Sequence, residues 1–369
     1  MAKTTKKSAE KLKMGIVGCG GIANGKHLPN LKQIPNVEIT AFCDIVIERA
    51  EEAKKNYGTP DAKTYLDYKE LIQDKSLTAV YVLTPNISHA EISIAALNAG
   101  KHVMCEKPMA MNGAEADAMC EAAKKNKKVL TIGYQTRSSS SFQYARELVA
   151  SGAVGDIYFA KCPAIRRRGV PGWGVFIDKE QQGGGPLIDI GTHSIDACLY
   201  VMGNYEVESV MGMACQKLAK TSYLCNDMGM YDPEKITTED FATGFVRFKN
   251  GAVMIIEASW CLNNVLQNHT VICGTKAGLE LDTPEGRSVI KMNGDLNGSL
   301  YSTTIRTNNR MRTYFKDKDY NPEQYEQRQF ISAITDGTEV VTKPEQAAVV
   351  TKIIEAIYKS SETGKAVYF

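Results

Sequence analysis

The chain has 369 residues, of which 43% are hydrophobic and 23% charged, and its formal net charge is +2. This length predicts about two domains with an ample core, and the near-neutral charge gives no electrostatic basis for binding nucleic acid or a membrane surface. No run of about 18 apolar residues is present to span a membrane. The 10 cysteines are scattered without a CxxC pair, which favours buried free thiols in a reducing compartment. We therefore expect a globular cytoplasmic protein.

The N-terminal stretch carries a phosphate-binding pattern. Residues 1–13 are rich in lysine, threonine and serine and lack the apolar run of a signal peptide, so we expect a disordered tail. The strand Met14–Val17 leads directly into Gly18-Cys19-Gly20-Gly21-Ile22-Ala23, ahead of a helix over 23–33. This G-x-G-x-x-G/A pattern predicts a tight turn that brings a pyrophosphate close to the backbone at a helix N-terminus. The predicted phosphate-binding residues are Gly18, Gly20, Gly21, Ile22 and Ala23.

The second strand, 37–43, ends at Asp44, about 20 residues beyond the glycine turn. An acidic side chain at this position accepts a hydrogen bond from a ribose 2′-hydroxyl and repels a 2′-phosphate. Ile45 and Val46 follow it, and the nearest cation is Arg49. These residues favour NAD over NADP. The alternative is a Rossmann-like fold that binds another ligand.

Strands and helices continue to alternate as far as residue 135. The predicted strands are 77–83, 102–105 and 129–132, and the predicted helices are 45–56, 68–73, 89–99 and 113–126. This alternation predicts a doubly wound parallel sheet whose ligands lie beyond the carboxyl ends of the strands. We therefore assign residues 14–135 to an NAD-binding Rossmann domain. The loops expected to ring one crevice are Gly18–Ala23, Asp44, Thr84–His89, Glu106–Pro108 and Gly133–Arg137.

Lys107 lies on the rim of this crevice, where a strand ends in Glu106-Lys107-Pro108. A lysine beside a nicotinamide can take part in proton transfer with a substrate. The alternative is a solvated surface charge, which is the usual state of a lysine.

Beyond residue 135 strands dominate. A helix over 142–151 is followed by strands that we predict at 156–162, 205–215, 241–249, 252–261 and 270–273. Asn250-Gly251 is a hairpin turn signal, and sequential strands with few helices between them indicate a mostly antiparallel sheet. Residues 217–238 and 283–313 are polar and are expected to be irregular, whereas 344–363 predicts a closing amphipathic helix. We assign 136–369 to an α+β domain.

The segment Arg166-Arg167-Arg168-Gly169-Val170-Pro171-Gly172-Trp173-Gly174 is the strongest candidate for a substrate loop. Tryptophan stacks on the apolar faces of pyranose rings, and arginine donates hydrogen bonds to hydroxyl oxygens. We therefore select Arg166 and Trp173 as substrate-binding residues. The alternative is a surface loop with salt bridges.

The segment Gly183-Gly184-Gly185-Pro186 leads into a predicted helix that carries Asp189, His193 and Asp196 at i, i+4 and i+7. We expect these three side chains to share one helical face, and we expect the glycines to let a ligand approach the backbone. The alternative is that this helical face is exposed to solvent and has no functional role. A divalent metal is a further alternative, but no additional His or Cys completes a ligand set, and we predict none.

The motifs Gly18–Ala23, Thr84-Pro85-Asn86-x-x-His89, Glu106-Lys107-Pro108 and Asp189-x-x-x-His193, in this order, resemble the Gfo/Idh/MocA family of sugar oxidoreductases. The similarity continues through Thr238-Glu239-Asp240-Phe241 to the end of the chain. It implies an N-terminal Rossmann domain that binds NAD as cofactor. It also implies that the C-terminal α+β domain, residues 136–369, has a large open sheet, binds substrate and forms a homo-oligomer, either dimer or tetramer. It implies Lys107, Asp189 and His193 as catalytic residues. The further residues expected at the cofactor or the substrate are Thr84, Asn86, His89, Glu106, Tyr134 and Gln135.

The resemblance implies oxidation of a secondary hydroxyl of a pyranose sugar, and the Arg166–Gly174 loop is most similar to that of members that act on glucosides at C3. Lys107 and His193 are the two candidates for the base, and the sequence does not decide between them. Alternatives are an inositol or aldose (C1) dehydrogenase, a keto-sugar reductase, and a dinucleotide sensor without activity. No motif shows whether NAD stays bound between turnovers.

Overall fold

The computed structural model describes residues 11–221, 223–264, 268–283, 286–307 and 324–369. An N-terminal sheet contains six parallel strands: β1 (Leu12–Val17), β2 (Val37–Cys43), β3 (Lys63–Tyr65), β4 (Ala79–Val82), β5 (His102–Cys105) and β6 (Leu130–Ile132). Their order is β3-β2-β1-β4-β5-β6, so the strand order reverses between β1 and β4. This is the dinucleotide-binding arrangement, which opens a crevice at the carboxyl ends of β1 and β4.

The helices of this domain cover both faces of the sheet. They are α1 (Leu28–Lys32), α2 (Ile47–Tyr57), α3 (Tyr68–Leu71), α4 (His89–Asn98) and α5 (Gly113–Asn126). A π-helix over Ala23–His27 precedes α1, and 3₁₀ turns occupy Asn86–Ser88 and Gln135–Ser138. The doubly wound parallel fold predicted from the alternation is confirmed.

The predicted tail is too long at its C-terminal end. The first strand starts at Leu12, where Leu12 and Lys13 pair in parallel with Val37 and Glu38 of β2. Because β2 begins at Val37, both residues have a neighbouring strand to pair with and are part of β1. Residues 1–10 lie outside the described part of the chain.

A second sheet forms the C-terminal domain. Its strands are β7 (Ile157–Ile165), β8 (Val207–Cys215), β9 (Phe241–Phe248), β10 (Val253–Ser259), β11 (Thr270–Gly274), β12 (Ala277–Thr283), β13 (Gly286–Leu296), β14 (Ser299–Arg306) and β15 (Val367–Tyr368). The order is β14-β13-β12-β11-β7-β10-β9-β8-β15, and the pairs are antiparallel except for β7 with β10. The hairpin predicted at Asn250-Gly251 joins β9 to β10, with Gly251 at φ +88°.

The expectation of an irregular segment over 283–313 is wrong for its described residues, because β13 and β14 form a hairpin there. β14 is exposed along most of its length on both faces, so its sequence lacks the apolar alternation that marks a strand. The segment over 217–238 is irregular apart from two 3₁₀ turns, as expected, although residue 222 is outside the described ranges.

Helices cover one face of the second sheet. They are α6 (Ser140–Ala150), α8 (Thr192–Met202) and α10 (Pro344–Thr363), and a π-helix over Leu187–Gly191 runs directly into α8. The short helix α7 (Lys179–Gln182) contacts the 3₁₀ turn Asn86–Ser88, and α9 (Tyr325–Thr335) packs on the core of the first sheet through Phe330 and Ile331. The helix α10 packs both on α5 of the first domain and on β8 of the second. One apolar cluster therefore runs through both domains and joins the two walls of the crevice.

The opposite face of the second sheet has no covering layer among the described residues. Met211, Phe245 and Ile255 are adjacent across β8, β9 and β10 on this face, and 53% of Met211 and 47% of Phe245 are exposed. Such an apolar row is typical of an interaction surface. Within the described ranges, no helix is long and apolar enough to cross a membrane.

Candidate active site

The glycine turn follows β1 and begins at a position that only glycine accommodates. Gly18 has φ +92°, and a Cβ there would lie 2.5 Å from the carbonyl oxygen of Leu83 at the end of β4. Gly20 and Gly21 have nothing within 4 Å of a Cβ, so the space beside them is open. The turn continues into the π-helix at Ala23, and Ile22 remains partly exposed at the mouth. This open cradle at a helix start fits a pyrophosphate.

Asp44 lies beside this turn at the carboxyl end of β2. Its Oδ2 accepts the backbone N–H of Cys19 at 2.9 Å, and its Oδ1 accepts the N–H of Val46 at 2.9 Å. Arg49 is 4.0 Å from Oδ1 and largely exposed. The two backbone bonds hold the carboxylate against the glycine turn, where the residues fit the ribose of NAD.

Glu106 is buried behind the crevice and is bonded by the protein on both oxygens. Oε1 accepts from Lys26 Nζ (3.0 Å) and lies 2.8 Å from His27 Nε2, while Oε2 accepts the backbone N–H of Lys107 (3.0 Å). Burial opposes ionisation of this carboxyl, but Lys26 and His27 outweigh it and hold its pKa well below the ordinary value. Lys26 also donates to Gln135 Oε1 at 3.0 Å. Glu106 and Gln135, predicted to contact the cofactor, are thus joined through Lys26.

The loop Thr84–His89 is tied to its neighbours by His89 and Asn86. The His89 ring is buried, with Nδ1 at 2.7 Å from the carbonyl oxygen of Pro108 and Nε2 at 2.8 Å from that of Thr84. Asn86 Nδ2 donates to the carbonyl oxygen of Gln182 at 2.9 Å. The side chains of His89 and Asn86 therefore join crevice loops to one another, and Thr84 Oγ1 accepts from Ser88 Oγ at 2.7 Å.

Lys107 and Asp189 meet across the crevice, one from each domain. Lys107 Nζ donates to the backbone oxygen of Asp189 at 3.0 Å and to its Oδ1 at 3.1 Å. Asp189 Oδ2 accepts from the indole N–H of Trp260 at 3.2 Å, and Arg166 Nη1 lies 4.0 Å from the same oxygen. Asp189 thus holds the Lys107 ammonium in a defined position at the crevice.

His193 is one helical turn beyond Asp189. Its Nδ1 is buried and has no hydrogen-bond partner among the described residues. Burial and the nearby Lys107 ammonium lower the pKa of His193 from 6.5 to about 3, so the imidazole is neutral at neutral pH. A neutral ring with an unpartnered nitrogen is able to bond a ligand hydroxyl.

Tyr134 does not offer its hydroxyl to a ligand. It is only 1% exposed, and its hydroxyl is 2.8 Å from Thr192 Oγ1. Its ring meets His193 edge-on, with centroids 6.3 Å apart. The predicted substrate contact is therefore replaced by packing against His193.

The prediction that Asp196 shares the face of Asp189 and His193 is wrong. Asp196 is fully buried and takes two hydrogen bonds from Arg137, at 2.6 and 2.8 Å. The i→i+5 hydrogen bonding of the π-helix before α8 changes the angular spacing that an ideal helix would give. Moreover, the charge partner of Asp196 lies inside the protein. No group of three or more His, Cys, Asp or Glu residues that could hold a metal ion occurs in the described ranges.

The glycine run has a different role from the one predicted. A Cβ on Gly184 would overlap the Tyr358 hydroxyl, and one on Gly185 would overlap the carbonyl oxygen of Glu239. The Glu239 carboxylate accepts the N–H of Gly185 (2.8 Å) and of Leu187 (3.2 Å), and the Tyr358 hydroxyl (2.9 Å). The glycines therefore admit the protein's own groups, which fix the start of the π-helix that carries Asp189.

The Arg166–Trp173 loop borders this site at its Arg166 end. Arg166 Nη1 donates to the carbonyl oxygen of Gly169 at 3.0 Å and stands near Asp189. Trp173 is 53% exposed and meets Phe176 edge-on at 5.9 Å. A small apolar cluster that includes Val170, Ile236 and Trp260 packs the loop against the residues that follow β10 and against the segment over 217–238.

Sequence reasoning missed Trp260, Glu239 and Lys26. Trp260 lies in the predicted strand 252–261 and is one of 2 tryptophans, and Glu239 lies in the quoted Thr238–Phe241 motif, so both carried a weak signal. Lys26 carried none, because its partners Glu106, Gln135 and Glu326 come from distant segments.

Comparison with known proteins decides the family. Residues 12–134 match the Gfo/Idh/MocA oxidoreductase family with its NAD-binding Rossmann fold, and residues 142–280 match the GFO/IDH/MocA C-terminal domain. The chain belongs to the Gfo/Idh/MocA family of oxidoreductases. Its N-terminal domain is thus an NAD-binding Rossmann domain, as the glycine turn and Asp44 predict.

Relatives within the family match almost the whole chain. D-glucoside 3-dehydrogenase of Escherichia coli (strain K12) is 34% identical over 362 residues, which are 98% of both chains. The crystal structure of aldose-aldose oxidoreductase from Caulobacter crescentus, complexed with glycerol, superposes with a TM-score of 0.79 at 26% identity and covers 98% of this chain and 100% of that one. Levoglucosan dehydrogenase in complex with NADH and L-sorbose gives a TM-score of 0.82 at 25% identity, over 97% and 99% of the two chains.

Proposed function

We propose that this protein oxidises a secondary hydroxyl of a pyranose sugar, namely C3 of a glucoside, to a ketone. The observation that carries the proposal is the group formed by Lys107, Asp189 and His193 beside the NAD-binding turn. The ammonium of Lys107 has three N–H groups, of which two are donated to Asp189. One donor therefore remains for a ligand, next to a neutral imidazole with an unpartnered nitrogen.

NAD, when bound, supplies the hydride acceptor for the ring carbon of the sugar. The remaining N–H of Lys107 donates to the oxygen that becomes the ketone and stabilises negative charge developing on it. The neutral ring of His193 accepts the hydroxyl proton. Because burial and Lys107 disfavour an imidazolium here, His193 takes the proton only as the hydride leaves, when the hydroxyl is most acidic, and then releases it to solvent. The alcohol thus loses one hydride and one proton.

The Arg166 loop supports the choice of a sugar. Trp173 presents a half-exposed indole of the kind that stacks on pyranose faces, and Arg166 brings donors next to Asp189. The choice of C3 of a glucoside is supported by the relation to D-glucoside 3-dehydrogenase, which extends over 98% of both chains.

The deciding experiment is the near-UV absorbance of reduced nicotinamide in the purified protein. Glucose, a glucoside and myo-inositol are added separately, with and without external NAD. Reduction with the glucoside and a 3-keto product supports the proposal, whereas reduction with myo-inositol or at C1 of glucose replaces it with those activities. A signal limited to one cofactor per subunit despite excess NAD means that the dinucleotide is recycled in place. No reduction by any sugar in protein shown to contain NAD favours a keto-sugar reductase, or a sensor if reduction of keto-sugars is also absent.

We also propose that the protein is a homo-oligomer assembled through the open face of the second sheet. The row Met211, Phe245 and Ile255 gives this face a continuous apolar strip. Light scattering after size exclusion is expected to report a dimer or a larger assembly for the wild type and a smaller species for Phe245→Lys. An unchanged mass in that variant would place the interface elsewhere.

We propose a cytoplasmic location because all 10 cysteines are free and most are buried, which suits a reducing compartment. Cell fractionation with a tagged full-length chain tests it.

A further inference from the structure

Trp260 occupies a rigid position directly behind Asp189. It follows β10, and its indole is completely buried. Its backbone N–H donates to the carbonyl oxygen of Asp240 (3.0 Å), and its own carbonyl oxygen accepts the N–H of Gly169 (2.8 Å). The Asp240 carboxylate is in turn held by the consecutive N–H groups of residues 217–219. The indole is therefore fixed by its backbone as well as by its packing.

The indole N–H is the only polar hydrogen of the Trp260 side chain, and it donates to Asp189 Oδ2 at 3.2 Å. The other carboxylate oxygen, Oδ1, accepts from Lys107 at 3.1 Å. Trp260 and Lys107 thus divide the carboxylate of Asp189 between them, and each bond restricts the rotation that would break the other.

These two hydrogen bonds to the Asp189 carboxylate set the orientation of the Lys107 ammonium. Lys107 gives one N–H to the backbone oxygen of Asp189 and one to Oδ1, so the orientation of the third depends on where Oδ1 lies. A flexible lysine stem alone does not fix such a direction. A rotation of the Asp189 carboxylate would move the Oδ1 bond and turn the third N–H away from the crevice.

We propose that Trp260 is a positioning residue for the reaction: its indole N–H holds the Asp189 carboxylate in the rotamer that aims the third N–H of Lys107 at the substrate hydroxyl. The inference rests on the proposed function, in which Lys107 donates to that hydroxyl. Trp260 itself touches neither substrate nor cofactor. Its effect passes through Asp189.

The kinetic test uses Trp260→Phe, which keeps a buried ring and removes the N–H. Because a hydrogen bond to a charged group is lost, kcat for the glucoside is expected to fall about tenfold to hundredfold, while the KM for NAD stays within about twofold. Phe248→Leu, at a fully buried aromatic position of β9, is the control for lost core volume and is expected to keep the wild-type kcat. If Trp260→Phe keeps the wild-type kcat as well, the proposal is overturned.

A double-mutant cycle separates positioning from general packing. In an Asp189→Ala background, Trp260→Phe is expected to lower kcat by less than about twofold, because the oxygen that accepts its N–H is already gone. Equal losses in the two backgrounds would mean that Trp260 acts independently of Asp189 and would overturn the proposal.

A spectroscopic test works without turnover. The chain has 2 tryptophans, so ¹H–¹⁵N spectra contain two indole signals, which Trp173→Phe assigns. Asp189→Ala is expected to shift the Trp260 signal and to leave that of Trp173 in place. An unmoved Trp260 signal overturns the proposal even if Trp260→Phe does not fold. If the signal moves but the wild type oxidises no sugar, the proposed function fails while the bond between Trp260 and Asp189 is retained.

Discussion

Replacement of Lys107 by methionine removes the ammonium and keeps a side chain of nearly the same length. The variant loses both N–H donors to Asp189, at 3.0 and 3.1 Å, and the third donor that we assign to the substrate. Trp260 and Arg166 still lie next to the carboxylate, so Asp189 is not left as an isolated buried charge.

The expected loss of activity can be estimated from the distance between Lys107 Nζ and the substrate oxygen. An alkoxide as close to Nζ as Oδ1 of Asp189 now is, 3.1 Å, would gain about 5 kcal/mol of Coulomb energy at an effective dielectric constant of about 20. The neutral hydroxyl of the ground state already gains part of this, and about 3 kcal/mol of selective stabilisation corresponds to a rate factor of roughly 10². With the lost help in proton transfer, we expect kcat/KM to fall by about 10²–10⁴.

The assay is the single-turnover reduction of NAD by the glucoside, together with NAD binding followed by calorimetry. Lys101→Met is a matched control, because Lys101 is also a buried lysine bonded to backbone oxygens, those of Asp74 and Leu77, but at the opposite end of β5. Lys107→Met is expected to bind NAD nearly as the wild type does and to lose turnover, whereas Lys101→Met is expected to lose stability but keep turnover. If Lys107→Met turns over as fast as the wild type, or loses no more activity than the control, the role given to Lys107 is wrong.

Three further outcomes follow from the same geometry. The pKa of His193 is about 3 in the folded protein and 6.5 in the unfolded chain, so its contribution to stability is present above about pH 6.5 and is lost as the pH falls towards 3. His193→Gln should therefore reduce the change of melting temperature with pH over this range. An unchanged pH dependence would contradict the burial argument. Asp44→Ser removes the charge that repels a 2′-phosphate and leaves Arg49 as a nearby cation, so the NADP/NAD ratio of kcat/KM should rise by at least about tenfold. A constant ratio in steady-state assays would disprove the assignment. Glu239→Gln places an amide N–H against the N–H of Gly185, so the variant should be less stable by about 2 kcal/mol in denaturant titrations and should also have a lower kcat. Full activity with normal stability would refute the role of Glu239 at the start of the π-helix.

Much of the N-terminal domain could be predicted because its signals are local. The alternation of apolar strands with helices determined the parallel sheet, and the glycine spacing with Asp44 determined the NAD turn. Gly18 is an example, because with φ +92° and Leu83 so close, a residue that carries a Cβ does not fit at this position. The sequence also identified Lys107, Asp189 and His193 as candidates, and the fold brings the first two within hydrogen-bond distance.

The roles around these residues were decided only by the tertiary structure. Trp260 lies 71 positions from Asp189, Glu239 lies 54 from Gly185, and Arg137 lies 59 from Asp196. Helical spacing predicted that Asp196 lies in the site, but its carboxylate is instead hydrogen-bonded by the buried guanidinium of Arg137 from another segment. A local pattern shows which face a side chain can occupy, whereas the partner that satisfies a buried charge or N–H is chosen by the packing of distant segments, since burial makes an unpaired polar group costly wherever its partner lies in the chain.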